Sequence, residues 1–330
     1  MSSLPANRDQ YTILVTGVGA IIGQGIIKSL RQCRENIRVV GVDRDPGCLG
    51  PHLCDSFHAK PACDESSRGY LEFWRHLLID ESVDLVLPGL EVDLFFLNAN
   101  REPLSDVGAT LGLNAAGFID LARDKWQMGQ EVTKIGLLSI PSLQSQDWGE
   151  CIEKLGSPPL LIKPRQGSGS RGIARIFDEL DLLYWAKKIR GDFMVQKIVG
   201  SCNEEYTVGA FGLGDGSTLS PIIFRRCLST AGNTQYAEVI TDESIVAAIE
   251  KLCAYFKPAG PTNYQFRKEN ELAYLLEINP RLSSSSSLRA AFGYNEAQMS
   301  VDYFLRGIHP NQPEILSGRA WRYAEDFVLK

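Results

Sequence analysis

Three stretches of the chain hold residues whose types and spacing suit phosphate or cation chemistry. Gly17, Gly19, Gly23 and Gly25 follow one apolar run and open the next, where backbone N–H groups can receive a phosphate. Asp43 closes the following apolar run and stands where a ribose hydroxyl would be met. The spacing is G-x-G-x-x-x-G rather than G-x-G-x-x-G, so a tight turn with close helix–sheet packing accounts for these glycines as well as a dinucleotide does. Lys163 opens the second stretch, followed by Gly167, Ser168, Gly169 and Ser170. No G-K-[ST] is present, yet a glycine–serine tip beside a lysine can still cradle phosphate oxygens. A flexible surface turn is the plainer alternative for that loop taken alone. The third stretch sets Gln265 on one strand and Glu277, Asn279 and Arg281 on the next. Glu277 and Asn279 are two apart and share a face, with Leu276 and Ile278 on the other. An acid and an amide side by side, with an arginine beyond, can hold Mg2+ against phosphate oxygens.

Elements must position these residues. The apolar runs 11–16, 37–43 and 83–91 alternate with helical patterns at 26–33, after a glycine turn over 17–25, and at 70–82, which predicts a parallel sheet covered on both faces. A helix is expected over 115–136, ending at Gly136 ahead of Pro141. From residue 159 the pattern turns antiparallel. PLLIKP and GIARIF flank the glycine–serine tip as a hairpin, and a helix follows with Asp178 as its N-cap and Gly191 at its end. Strands are expected at FMVQKIV, EEYTVGAFG, TLSPIIFRR, TNYQFRK and LAYLLEIN. Asp242 precedes a helix with apolar residues at 245, 249, 252 and 256, and a last helix follows five serines and runs to 305.

Composition sets the outer limits. The chain has 330 residues with 44% hydrophobic and 22% charged, the balance of a globular protein of about two domains. A net charge of −6 argues against nucleic acid as a partner, since that affinity rests on clustered Lys and Arg. No apolar run approaches the length of a membrane span. The N-terminal ten residues lack a basic and then apolar leader. Eight cysteines without a C-x-x-C pair read as reduced thiols of a cytoplasmic protein.

Taken together and in order, these features resemble the ATP-grasp superfamily, nearest the carbamoyl phosphate synthetase large-subunit and biotin carboxylase branch of carboxylate–amine ligases. D-K at 124–125, K-P-x-x-G-S-G-S-x-G at 163–172, M-V-Q-K-I at 194–198, E-E-Y-T-V at 204–208, N-x-Q ending at Gln265 and L-E-I-N-P-R at 276–281 carry the likeness. It spans residues 12 to 305. The resemblance implies an α/β ATP-grasp fold in three parts. These are a Rossmann-like pre-ATP-grasp domain over 1–123, a central and lid α+β subdomain over 124–198, and a C-terminal α+β subdomain with an antiparallel sheet over 199–330.

The resemblance also implies a function: activation of a carboxylate as an acyl phosphate by ATP with Mg2+ or Mn2+, followed by capture by an amine. Phosphorylation of bicarbonate or carbamate is the alternative. By that likeness Lys125, Lys163, the tip 167–170, Gln196, Lys197, Ile198, Glu205 and Leu276 meet ATP. Gln265, Glu277 and Asn279 hold the metal, and Lys163 and Arg281 act in catalysis. Lys197 stands where the family usually has Glu, and Ser283–Ser287 stand where glycine is usual. Small-molecule carboxylate and amine substrates are the implied partners, with no membrane, and a homodimer is compatible. The likeness demotes the first glycine loop, because the family's N-terminal domain binds the acceptor and carries no dinucleotide. A nicotinamide-dependent oxidoreductase, the competing class, would leave 163–172 and 265–281 without a purpose.

Acceptor contacts are expected from four residues. Glu91 follows the third strand and can bind an ammonium group, Arg225 and Arg226 end a strand and can meet phosphate or carboxylate, and Arg289 is the fourth candidate, although a helix-surface arginine is its plainer role. His52, His58, His76 and His309 form no cluster. Strand register gives one geometric expectation. A loop of three to five residues centred on Glu271 would set Gln265 opposite Glu277, whereas a two-residue Glu269-Asn270 loop would not.

Overall fold

The computed structural model describes residues 9–167, 172–201 and 203–329. Its first part comprises β1 (Tyr11–Thr16), α1 (Ile21–Leu30), β2 (Ile37–Asp43), β3 (Ser56–Ala59), α2 (Arg68–Asp80), β4 (Leu85–Leu87), α3 (Glu91–Ala99) and β5 (Thr110–Leu111). The strands form one parallel sheet in the order β3-β2-β1-β4-β5. Ile13, Leu14 and Val15 are all fully buried because both faces are covered. Ile13 and Val15 pack with Ile26 and Leu30 of α1, and Leu14 packs with Tyr70, Trp74 and Leu78 of α2. Burying each such side chain contributes about 1.5–3 kcal/mol. The order reverses between β1 and β4, so the loops entering α1 and α3 diverge and leave a crevice at the strand ends.

The helix expected over 115–136 is two helices, α4 (Ala116–Arg123) and α5 (Lys125–Lys134). Asp124 breaks it with an extended backbone (φ −103, ψ 103), and its carboxylate accepts the Trp126 and Gln127 N–H groups. Arg165 also pairs with that carboxylate. An aspartate that caps a helix and meets an arginine gains more there than inside a continuous helix. Lys125 thereby becomes the first residue of α5.

The chain continues through β6 (Leu138–Ser139), β7 (Ser142–Leu143), α6 (Trp148–Leu155), β8 (Leu160–Pro164), β9 (Ala174–Ile176), α7 (Glu179–Lys188) and β10 (Phe193–Gln196). A small antiparallel sheet, β7-β10-β8-β9, results. Strands β8 and β9 are the hairpin expected from sequence, and Asp178 caps α7 through the Asp181 N–H as expected. Ser168, Gly169 and Ser170 lie outside the described residues. Leu160, Ile162 and Val195 face α6 and α7 in the subdomain's core, so alternation turns Lys163 to the opposite side.

The rest is a seven-stranded sheet, β16-β13-β12-β11-β14-β15-β6, built from β11 (Glu205–Leu213), β12 (Ile222–Leu228), β13 (Thr234–Ile240), β14 (Ala259–Glu269), β15 (Leu272–Asn279) and β16 (Arg319–Trp321). Only β6 runs parallel to its neighbour. Helix α8 (Glu243–Phe256) lays Ile245, Ile249 and Leu252 on Tyr264, Phe266 and Ile278 of one face. The helix expected after the serines is α9 (Ser286–Ala291), α10 (Glu296–Ser300) and a π turn over 301–305. No described helix is long and apolar enough to cross a membrane.

The β14–β15 hairpin reaches its expected register by an unexpected route. Its loop has two residues, Asn270 and Glu271, both with positive φ (52° and 63°), between the paired Glu269 and Leu272. That is the geometry of a primed two-residue turn, not the three- to five-residue loop expected. Uncorrected, it would set Gln265 opposite Leu276. A bulge at Leu276 restores the frame: Phe266 pairs with Leu275, and Gln265 pairs with Glu277.

Candidate active site

A cavity of about 390 Å3 opens where the three sheets meet. Ile140, Leu161, Ile198, Val199 and Leu276 supply apolar walls, and seven Lys or Arg side chains line it against three Glu. In a chain of net charge −6, that excess of cations is a local potential for a polyanion. Leu276 and Glu277 both reach the cavity, which strict alternation forbids and the bulge permits.

Lys163 lines it, 5% exposed, and is held by the pairing of β8 with Met194 of β10. Burial pushes its ammonium down to about 8, the neighbouring Glu277 opposes that shift, and Lys125 adds to it. Lys125, at the start of α5, reaches Glu277 Oε1 at 3.1 Å and donates to the Gly167 carbonyl at 2.5 Å. Burial alone would raise the Glu277 carboxyl. The charges of Lys125 and Lys163, the Lys125 hydrogen bond and Arg281 outweigh it, so the group lies below the ordinary range and is ionised at neutral pH.

The strand between 194 and 198 borders the cavity, but its amides are partly engaged. Lys197 N–H donates to the Pro141 carbonyl at 2.9 Å, and the Gln196 amide donates to Ser142 Oγ at 2.8 Å. Lys197 Nζ pairs with Glu269 at 3.0 Å, so lysine at this position is neutralised locally.

Glu205 is 3% exposed and lies between two guanidinium groups. Arg226 donates to its Oε1 through Nε and Nη2 at 3.2 and 2.9 Å, and Arg267 donates to its Oε2 at 2.7 Å. Arg226 Nη2 also reaches Gln265 Oε1 at 3.0 Å. Arg226 thus lines the cavity. Arg225, one residue earlier, points the other way, is exposed and pairs with Glu238 at 2.7 Å, because adjacent strand residues face opposite sides. Arg289 is not a surface residue. It is fully buried and pairs with Glu296 at 3.1 Å, while its Nη2 donates to Asn263 Oδ1 at 2.6 Å. It does not line the cavity. Glu91 begins α3, and its Oε1 accepts from Arg281 Nη2 at 2.9 Å, so an internal cation already meets the carboxylate expected to receive an ammonium group. Asn279 Oδ1 accepts from the same Arg281 nitrogen at 3.3 Å.

Two of the seven lining cations could not be named from the sequence motifs alone. Arg175 gave no signal. Arg267 did, since Asn263, Gln265 and Arg267 alternate along β14 and all line the cavity.

The first glycine loop is closed on itself. Gly17 takes a positive φ of 63°, and a Cβ on Gly23 would lie 2.3 Å from the Gly17 carbonyl oxygen. Asp43 Oδ2 accepts the Gly19 N–H at 2.8 Å, and its Oδ1 accepts the Arg44 N–H at 2.7 Å. The aspartate expected for a ribose instead ties down its own loop.

Among the described residues no three His, Cys, Asp or Glu side chains gather as a metal site. Oxygen donors at the cavity are nevertheless present in the Glu277 carboxylate and the Asn279 amide. An ionised carboxylate and an amide oxygen are hard ligands suited to Mg2+ completed by waters and phosphate oxygens.

Comparison with known proteins agrees with this architecture. Residues 191–327 match a family model described as an ATP-grasp in the biosynthetic pathway with Ter operon. The carbamoyl phosphate synthase large chain of Deinococcus radiodurans is 23% identical over 99% of this chain and 35% of its own length. The chain thus spans about a third of that relative. An N5-carboxyaminoimidazole synthetase from Staphylococcus aureus complexed with ADP superposes with a TM-score of 0.72 at 17% identity, over 96% of this chain and 83% of that one. The biotin carboxylase domain of a 2-oxoglutarate carboxylase from Hydrogenobacter thermophilus, in complex with MgADP, ADP and bicarbonate, gives 0.70 at 16% identity, over 93% and 73%.

Proposed function

We propose that this chain, whose fold is that of the ATP-grasp proteins, is an ATP- and Mg2+-dependent ligase that activates a small-molecule carboxylate and joins it to an amine. The observation that carries the reading is a buried Lys163 near an ionised Glu277 in a cavity with four more cations than carboxylates.

Phosphoryl transfer needs little covalent help, so positioning and charge neutralisation dominate. Gln265, Glu277 and Asn279 would hold the divalent ion, which would supply positive charge to the phosphates. Lys163 and Lys125, which share the charge of Glu277 without ligand, would turn to the phosphate oxygens. The apolar walls of Leu161, Ile198 and Leu276 would flank the base. The acceptor carboxylate oxygen attacks the terminal phosphorus, the bond to the ADP oxygen breaks, and an acyl phosphate forms. The amine then attacks the acyl carbon, and phosphate leaves. The hairpin of β8 and β9 would exclude water that hydrolyses the acyl phosphate. Phosphorylation of bicarbonate is the second reading, favoured by likeness to a carbamoyl phosphate synthase large chain.

ADP release with Mg2+ against a panel of amino acids, bicarbonate and peptides tests the proposal. With the carboxylate present and the amine withheld, hydroxylamine is expected to trap the corresponding hydroxamate. Ligation without any hydroxamate would overturn the acyl phosphate.

A further inference from the structure

The edge strand β16 contributes no residue to the cavity lining, yet the residue after it holds the cavity's wall. The Arg322 N–H extends the pairing of β16 with β13 by donating to the Gln235 carbonyl at 2.8 Å. Its guanidinium then leaves the strand. Nη1 donates to the Thr234 carbonyl at 3.1 Å, and Nη2 donates to the Ser284 carbonyl. Ser284 lines the cavity, and Thr234 directly follows the lining residues Gly232 and Asn233. These two wall segments belong to strands far apart in the sheet, since β12, β11 and β14 lie between β13 and β15. No ladder joins them, so side chains must.

The remaining tie is the contact of Thr234 Oγ1 with Ser285 Oγ at 3.1 Å. A hydrogen bond from a cation is about twice as strong as one between neutral groups, which makes Arg322 the firmer clasp. Arg322 forms no ion pair with a described residue, and burial alone pushes its guanidinium down from the ordinary value. Its charge therefore stays uncompensated beside Ser284. Further along, Phe327 stacks on His52 of the first part, with ring centroids 5.7 Å apart at 28°, and Trp321 packs on Tyr236 at 5.2 Å. Residues 319–327 thus run from the edge of the large sheet to the part of the chain that also brings Ile22 and Glu91 to the cavity.

We propose that residues 319–327 are a strap completing the acceptor end of the cavity, with Arg322 as its positioning residue, which fixes the Asn233 and Ser284 walls relative to each other. The inference rests on the ligase reading above, in which Leu161, Ile198 and Leu276 flank the base and leave Asn233, Ser283 and Ser284 to the acceptor. Because carbonyls rather than carboxylates hold the guanidinium, its charge also favours an anionic acceptor over a neutral one.

Arg322 is half-buried, and Arg322→Met keeps an unbranched apolar stem while losing every donor, so the variant is expected to fold. ADP release with Mg2+ is followed for the wild-type chain, Arg322→Met and Arg322→Lys, with bicarbonate and the amino acids of the panel above as probes. Arg322→Met is expected to raise the KM of the accepted probe about tenfold and to leave the KM for ATP within twofold. Arg322→Lys, which keeps the charge but spans the two carbonyls poorly, is expected to raise it about threefold. An unchanged probe KM in Arg322→Met would overturn the proposal, as would a KM for ATP that rises in parallel. Hydrogen–deuterium exchange supplies a readout that needs no turnover. In Arg322→Met, exchange over 229–235 and 282–288 is expected to quicken about fivefold, with 194–198 unmoved. Unchanged exchange in those two segments would also overturn the strap. A wild-type chain that turns over none of the probes brings down the ligase reading by itself, and the exchange experiment then still decides whether Arg322 clasps the two walls.

Discussion

The chain contains two places that look ready for a nucleotide, and they differ in what their polar groups are doing. In the loop between β1 and α1, the Gly19 N–H is bound by Asp43, and Gly23 is pressed against the Gly17 carbonyl. In the cavity between the sheets, Lys163 is buried and makes no hydrogen bond or ion pair with a described residue, and cations outnumber carboxylates by seven to three. In the first place the Gly17 and Gly19 N–H groups are taken by Val42 and Asp43, and no cation stands in the turn. The second has vacant donors and an unbalanced charge. A binding site is recognised by unsatisfied capacity, since a group already paired must lose that pair before it can meet a ligand.

The sharpest break of this comparison is Lys163→Ala. Substrate-dependent ADP formation is expected to fall by about 10²–10³-fold while thermal unfolding stays cooperative, because the ammonium faces the cavity rather than the core. Glu277→Ala is expected to do the same. Near-full turnover by the Lys163 variant at saturating ATP would place the phosphate elsewhere.

Gly23→Ala probes the other place. A Cβ there meets the Gly17 carbonyl oxygen at 2.3 Å, so the backbone must shift, at a cost of about 1–3 kcal/mol. Denaturant unfolding should register that loss, and MgADP affinity of the folded variant should stay at the wild-type value. A selective loss of nucleotide binding would reverse the assignment of the two regions.

A pH titration sharpens the contrast further. The Lys163 ammonium titrates at about 8 when folded and at 10.5 in its ordinary state. Nucleotide affinity measured by calorimetry is therefore expected to fall up to about tenfold per pH unit above 8, as the charge is lost, and binding should take up protons there. Folding stability runs the opposite way for this group. Between pH 8 and 10.5 the unfolded chain holds the extra proton, so the contribution of Lys163 to stability rises with pH across that window. Flat nucleotide affinity from pH 7 to 9.5 would show that Lys163 does not meet the phosphates.

The smallest effect belongs to Asp43→Ala. Loss of the carboxylate that accepts the Gly19 and Arg44 N–H groups is expected to cost about 1–2 kcal/mol of stability, with ADP binding unchanged and no response to NAD in a thermal shift. Wild-type stabilisation by NAD, lost in this variant, would return the loop to a dinucleotide.

Much of the framework was legible in residue order. Apolar runs separated by helical patterns give the parallel sheet, since only strands buried on both faces read as continuous hydrophobic runs. The Asp178 and Asp242 caps were readable for the same local reason: a side-chain oxygen three residues ahead of an N–H is a short-range bond. Strand β13, with its mixed pattern TQYAEVI, was not readable, because it gains its place from pairing with β12 and β16. The break at Asp124 depended on Arg165, forty-one residues away.

The sequence by itself determined which residue types stand together on each strand, because alternation and turn chemistry are local. It thereby set Lys163 opposite the core and set Glu277 and Asn279 on one face. Tertiary structure alone decided which of those groups remain available. The bulge at Leu276 rather than the loop brings Gln265 opposite Glu277. Arg289 is drawn into the interior by Glu296, and Glu91 is taken by Arg281. Whether a charge is free or paired depends on partners that lie from seven residues away, as for Arg289 and Glu296, to 190, as for Glu91 and Arg281, and no local pattern encodes which of them meet.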